Sequence, residues 1–90
     1  MKYYIYLIKS LKDNHYYIGQ TNNLEKRLAQ HNSGKVKSTS KRRPFKLIGY
    51  KVFYQRNEAR WEEYQLKKSA WKRKKLIKEL FYNRARGAAG

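Results

Sequence analysis

Two runs of aromatic and β-branched residues, Tyr3 to Lys9 and His15 to Gln20, open the chain with the polar triplet Lys12-Asp13-Asn14 between them. The pattern predicts a β-hairpin, although its turn lacks glycine. Alternation places Tyr4, Tyr6 and Ile8 on one face of the first strand and Tyr3, Ile5 and Leu7 on the other. The second strand separates Tyr17 and Gly19 from Tyr16 and Ile18. The opening segment is short and Tyr-rich and lacks a small-residue cleavage site, so it reads as a strand rather than a signal peptide.

A helix is expected next, with Asn22 as its N-cap and Glu25 three residues on in a reciprocal capping arrangement. Leu24 and Leu28 form its buried stripe, and Asn32-Ser33-Gly34 ends it. Arg27 and His31, four apart, share one face at the border of that stripe and can converge on one spot. Residues 33–43 read as a mobile polar loop. Pro44 closes it, and Phe45 to Tyr54 reads as a third strand with Gly49 at a bulge. Asn57 is placed to cap a second helix running to about Ser69. On its wheel Ala59, Glu63, Leu66 and Ala70 share a narrow arc. Glu63 then lies mid-stripe, where a carboxylate is costly unless partnered, whereas Glu62 lies nearer the edge. A last helix over about 72–82 presents Leu76, Ile77, Leu80 and Phe81, followed by a frayed tail at 83–90. The expected fold class is α/β of the α+β kind: one domain over 1–82, with a three-stranded antiparallel sheet flanked by helices.

Ninety residues suffice for one compact domain. The nine Tyr, three Phe and two Trp are expected to help fill a modest core. Cysteine is absent, which excludes disulfides and thiolate metal sites and suits the cytoplasm. Two histidines cannot build a four-ligand structural zinc site by themselves. No stretch is long and apolar enough to span a bilayer.

The net charge of +17, from 23 Lys and Arg against six acids, calls for a polyanionic partner. Nucleic acid fits best, since counterion release drives such association. The basic residues are spread along the chain rather than confined to one helix, which argues against a membrane surface. Phosphate contacts are expected from Lys35, Lys37, Lys41, Arg42 and Arg43 in the loop and from Lys67, Lys68, Lys72 and Arg73 in the last helices. No reading helix is evident, so binding is expected to be independent of base sequence.

Tyr4-Ile5-Tyr6 and Tyr17-Ile18-Gly19 resemble the two signatures of the GIY-YIG nuclease superfamily. The stretch from Thr21 to Lys35, Arg43-Pro44-Phe45-Lys46-Leu47 and Glu58 to Lys68 extend the match to about residues 3–80. The closest likeness is to compact stand-alone members resembling excinuclease C-subunit domains. Tyr4 stands where the family name has Gly, and no chemistry hangs on that position. Asn83 is too poorly spaced from Glu63 to match the family's late Asn and is set aside.

The resemblance implies a metal-dependent endonuclease hydrolysing phosphodiester bonds, of DNA foremost. Glu63 matches the metal-binding carboxylate, with Mg²⁺ (or Mn²⁺) as cofactor. Arg27 matches the arginine that grips the phosphate. Tyr6 and Tyr17 match the two hallmark tyrosines, Tyr6 being the one assigned to activate or position the attacking water. A free phenol is a poor base at neutral pH, so that role requires neighbouring cations. His31 can orient a tyrosine hydroxyl or relay its proton, with a capping or surface role as the alternative. Gly19 reads as backbone geometry, and His15 as a turn residue without chemistry. The competing reading is a non-catalytic nucleic-acid-binding protein, ribosome-associated in one version, on the same fold. The chain is expected to be monomeric, with a protein partner supplying specificity a reasonable addition.

Overall fold

A computed structural model of the chain describes the backbone of residues 1–87 and the side chains of residues 1–80. Its elements are β1 (Tyr3–Ser10), β2 (Tyr16–Thr21), α1 (Leu24–Ser33), a 3-10 turn (Ser40–Arg42), β3 (Phe45–Phe53), α2 (Arg56–Lys68) and α3 (Ala70–Gly87). The strands form one antiparallel sheet in the order β2-β1-β3. This is the α+β architecture expected from the sequence.

The central strand β1 is covered on both sides, which is why both of its alternating sets are apolar or aromatic. Ile5 and Leu7 face α2 and α3 and pack with Ile48, Ala59, Leu66, Leu76 and Leu80. Tyr6 and Ile8 face α1 and pack with Phe45, against which Tyr17, Leu24, Leu28 and Leu47 lean. Each fully buried aliphatic side chain here contributes about 1.5–3 kcal/mol. The β1–β3 pairing steps from Leu7–Gly49 to Ile8–Leu47, so Ile48 is the extra residue of a β-bulge beside Gly49. The bulge turns Ile48 into the larger core.

The hairpin turn manages without glycine because Asn14 takes the left-handed conformation, φ 64°. Helix α1 is capped one residue later than expected. Asn23, not Asn22, accepts the Lys26 N–H at 3.1 Å. Thr21 decides this, its hydroxyl accepting from Asn23 N–H at 3.1 Å and holding that residue at the cap. Gly34 closes the helix at φ 84°, with Lys35 N–H returning to Gln30 O at 3.1 Å.

Asn57 does not cap α2. The helix begins at Arg56 behind Gln55, which makes no side-chain cap, and Asn57 falls within the first turn. Ala70 does not extend the buried stripe of α2 either. The helix breaks at Ser69, whose hydroxyl accepts Lys72 N–H at 3.2 Å, so Ala70 is an exposed residue at the head of α3. That cap starts α3 two residues ahead of the expected 72, and the helix runs on to Gly87. Leu76 and Leu80 are buried as expected, whereas the side chains of Phe81 and Asn83 and residues 88–90 of the tail lie outside the described residues. Neither Trp helps to fill the core, since Trp61 and Trp71 are both exposed.

Candidate active site

The site begins with a contact between strands. Tyr6 on β1 is the register partner of Gly19 on β2, and its ring lies directly over that residue. A Cβ at position 19 would stand 2.3 Å from the Tyr6 hydroxyl. Glycine is needed there for close approach rather than for an unusual backbone angle. Tyr17, two residues earlier on the same face, packs edge-on against Phe45 with ring centroids 5.4 Å apart.

Helix α1 brings two more groups to this face. Arg27 Nε–H donates to the Tyr6 hydroxyl at 3.3 Å, and the hydroxyl lies 2.9 Å from His31 Nε2. His31 Nδ1 lies 2.8 Å from Thr39 Oγ1, whose own proton reaches Val36 O at 3.4 Å. Burial first, and then the charge of Arg27, lower the His31 pKa from the usual 6.5, so the imidazole is neutral at pH 7. A neutral ring has one N–H. The single ring N–H lies on Nδ1, facing Thr39, or on Nε2, facing Tyr6. With the proton on Nδ1, Thr39 accepts from His31, Nε2 accepts the Tyr6 proton, and the Tyr6 oxygen accepts from Arg27. Only 4 % of His31 and 2 % of Thr39 is exposed, so these bonds are shielded from water.

Tyr6, Tyr17, Arg27, His31 and Glu63 all line one cleft of about 190 Å³. Glu63 enters it from α2 beside Lys67, their charged atoms 3.7 Å apart. Glu62 is also partly buried, but it lies in a separate groove between α2 and α3. A larger groove of about 800 Å³ shares Gln20, Glu63 and Lys67 with the cleft and continues past Arg56 and Arg60. Among the described residues no group of three His, Cys, Asp or Glu side chains could hold a metal. Glu63 is the one acid lining the cleft. A lone carboxylate does not suit zinc, which takes three or four protein ligands. It does suit a hard cation such as Mg²⁺, which keeps its waters and takes substrate phosphate oxygens as ligands.

The basic residues divide into two groups. Lys35, Lys37, Lys41, Lys67 and Lys68 are exposed. Arg42 and Arg43 are exposed too, but they and Arg73 use guanidinium donors within the protein. Arg42 pairs with Asp13, Arg43 reaches Ser40 O at 2.8 Å, and Arg73 caps α2 through Leu66 O at 3.0 Å and Lys67 O at 2.7 Å. Lys72 is bonded to Gln65. His15 is not among the cleft residues and lies at the hairpin tip, 3.9 Å from Asp13.

The 33–43 segment is tied down rather than loose. Ser10 Oγ–H donates to Arg42 O at 2.6 Å, Leu11 N–H reaches Pro44 O at 2.8 Å, and Arg42 clasps Asp13. Asn32 adds a two-point clamp on the Phe45 backbone, at 2.6 and 3.2 Å, which fixes the end of α1 beside β3. Thr39 and Gln30, which accepts from Arg27 at 3.2 Å, escaped the sequence reading. Nothing distinguishes Thr39 from the neighbouring Ser and Thr until the loop folds.

A family model described as the GIY-YIG catalytic domain matches residues 2–76. A UPF0213 protein of Staphylococcus haemolyticus is 42 % identical over 80 residues, covering 87 % of this chain and 96 % of its own. The UPF0213 protein YazA of Bacillus subtilis is 44 % identical over 78 residues, covering 86 % of this chain and 78 % of its own. The solution NMR structure of the UPF0213 protein BH0048 from Bacillus halodurans superposes with a TM-score of 0.55 at 35 % identity, covering 87 % of this chain and 84 % of that one. With the family model spanning most of the sequence and relatives matched over 78–96 % of their length, this chain belongs to the GIY-YIG domain family, among its small UPF0213 proteins.

Proposed function

We propose that this protein is a metal-dependent endonuclease that hydrolyses DNA phosphodiester bonds in the cleft between α1 and α2. The observation that carries this reading is the meeting of Tyr6, Tyr17, Arg27, His31 and Glu63 in one cleft, with the Tyr6 oxygen held between Arg27 and His31.

In this reading Tyr6 positions the attacking water. As the water attacks phosphorus, its proton passes to the Tyr6 oxygen while the Tyr6 proton passes to His31 Nε2. Arg27 stabilises the negative charge that develops on the phenol oxygen and the phosphate. His31 is suited to receive the proton because its lowered pKa keeps the ring neutral at pH 7. Thr39 holds the ring in the tautomer this transfer needs. Tyr17 borders the phosphate position from the β2 side. Glu63 would hold Mg²⁺ or Mn²⁺, exchanging its contact with Lys67 for the ion and freeing the ammonium for a phosphate. When bound, such an ion supplies charge neutralisation at the leaving oxygen.

Purified protein incubated with plasmid, single-stranded and branched DNA is expected to cleave with Mg²⁺ or Mn²⁺ and to stop with EDTA. Glu63→Ala and Arg27→Ala are each expected to lower the rate by about 10²–10³-fold. Undiminished cleavage by either variant would falsify this assignment. The Glu63–Lys67 contact favours one other reading, in which a lysine alone compensates the acid and the fold only binds nucleic acid. That reading predicts salt-sensitive binding with no cleavage under any divalent ion.

A further inference from the structure

The solvent face of α2 carries an aromatic pair that the proposed chemistry does not use. Trp61 and Tyr64, one turn apart, stack with ring centroids 5.8 Å apart and planes inclined by 23°. Trp61 is 62 % exposed and Tyr64 50 %. They face away from the stripe formed by Ala59 and Leu66, so they add nothing to the core. Lys68 Nζ lies 5.0 Å from the centre of the Tyr64 ring, and Arg60 and Lys67 flank Tyr64 in the groove that leads to Glu63.

Wide aromatic faces left in water are unfavourable for an isolated protein, and the cations Arg60, Lys67 and Lys68 beside Tyr64 indicate an anionic occupant. A second copy of the chain would bring another +17 charges to the same face. Duplex DNA would offer phosphates to the cations but no base face to the rings. An unpaired strand offers both, with phosphates spaced for Lys and Arg and a flat base for the indole.

We infer that Trp61 and Tyr64 form a base-stacking subsite that holds an unpaired base of the DNA strand, while Arg60, Lys67 and Lys68 track its backbone into the cleft. The inference rests on the nuclease reading for the identity of the polymer. Within it, the inference names the substrate class as DNA with a single-stranded stretch beside the scissile phosphate.

The test is a binding measurement in EDTA, so that a failure of cleavage and a failure of the subsite remain distinguishable. In a full-length Trp71→Phe protein, Trp61 is the only tryptophan left of two and reports directly through its fluorescence. The probes are a thymidine oligonucleotide about 12 nucleotides long, a strand of equal length and charge made of abasic sites, and the matching duplex. The thymidine strand is expected to quench Trp61 and to bind about tenfold tighter than the abasic strand. Labelled-strand anisotropy is expected to show the same tenfold loss for Trp61→Ala on thymidine and no change on duplex. Equal affinity for the thymidine and abasic strands, equal quenching by the duplex, or wild-type affinity in Trp61→Ala would each overturn the subsite. So would a shift of Trp61 emission with protein concentration alone, which would assign the face to self-association.

Discussion

The two faces of the sheet are built on different principles, although one strand supplies both. Among the described residues, Ile5 and Leu7 on the α2 and α3 side enter a cluster of seven buried apolar residues. On the α1 side, Tyr6 and Ile8 form with Phe45 a smaller buried cluster of described residues, against which partly buried Tyr17, Leu24, Leu28 and Leu47 pack. Buried His31 and Thr39 extend it through the hydrogen bonds from Tyr6. Burial of hydrocarbon is non-directional and tolerates repacking. A buried chain of hydrogen bonds stabilises only when every member is matched, and it fixes the positions of its heavy atoms. The first face therefore holds the fold together, and the second holds Tyr6, Arg27 and His31 in register.

Adjacent residues on β1 give the largest test of this division. Leu7→Ala is expected to destabilise the protein by about 2–5 kcal/mol in urea unfolding, with cleavage per folded molecule preserved. Tyr6→Phe is expected to reverse the pattern: cleavage falls by about 10²–10⁴-fold, while stability falls by only about 1–3 kcal/mol from the unmatched His31 nitrogen. If both variants lose activity and stability in proportion, the two faces are not separable. Gly19→Ala comes next. Its Cβ would displace the Tyr6 ring, lowering the rate by about 10²-fold and costing about 1–3 kcal/mol.

Thr39→Val sharpens the comparison at the far end of the chain of hydrogen bonds. It is expected to slow cleavage by about tenfold and to move His31 toward the other tautomer in ¹⁵N NMR, with Thr39→Ser restoring both. An unchanged tautomer in Thr39→Val would remove Thr39 from the relay.

The pH response separates the faces again. The folded pKa of His31 lies below 6.5, so as pH falls the unfolded chain takes up its proton first. The stability due to neutral His31 is full above 6.5 and declines as pH falls from there through the lower folded value. The acid limb of the cleavage rate is expected to fall in the same window, and His31→Gln is expected to abolish it. The smallest effect belongs to Asp13. The backbone N–H of His15, followed by the contact with Arg42, holds its carboxyl at about 2 against 3.8 in a free side chain. Its contribution is present above 3.8 and lost as pH falls through about 2. Asp13→Asn is expected to loosen the 33–43 loop slightly, by an amount that added salt diminishes.

Much of the fold was legible in the sequence. Alternation set Tyr6 and Ile8 on the opposite face of β1 from Tyr3, Ile5 and Leu7, as found, and Gly34 and Gly49 marked the helix end and the bulged region. The misplaced helix boundaries were of one kind. Asn22 and Asn57 are both good caps by type, but Thr21 holds Asn23 at the first cap, and α2 begins at Arg56, ahead of Asn57. Similarly, the break at Ser69 took Ala70 out of the α2 stripe.

At the site, spacing was enough to put Arg27 and His31 on one helical face, because the helix period is a local property of the backbone. Strand alternation permitted Tyr6 and Tyr17 to share a sheet face, and the register pairing Tyr6 with Gly19 decided it. Periodicity is silent about what lies opposite. The hydrogen bonds of Tyr6 to His31 and of His31 to Thr39 cross 25 and 8 residues, and they exist only because packing of α1 on the sheet and the clamp from Asn32 to Phe45 close those distances. The sequence by itself determined which side chains share a face within each helix or strand. The tertiary structure alone decided which of those faces meet, which side chains touch, and which arginines bond to the protein's own backbone, because each of these depends on contacts between segments far apart along the chain.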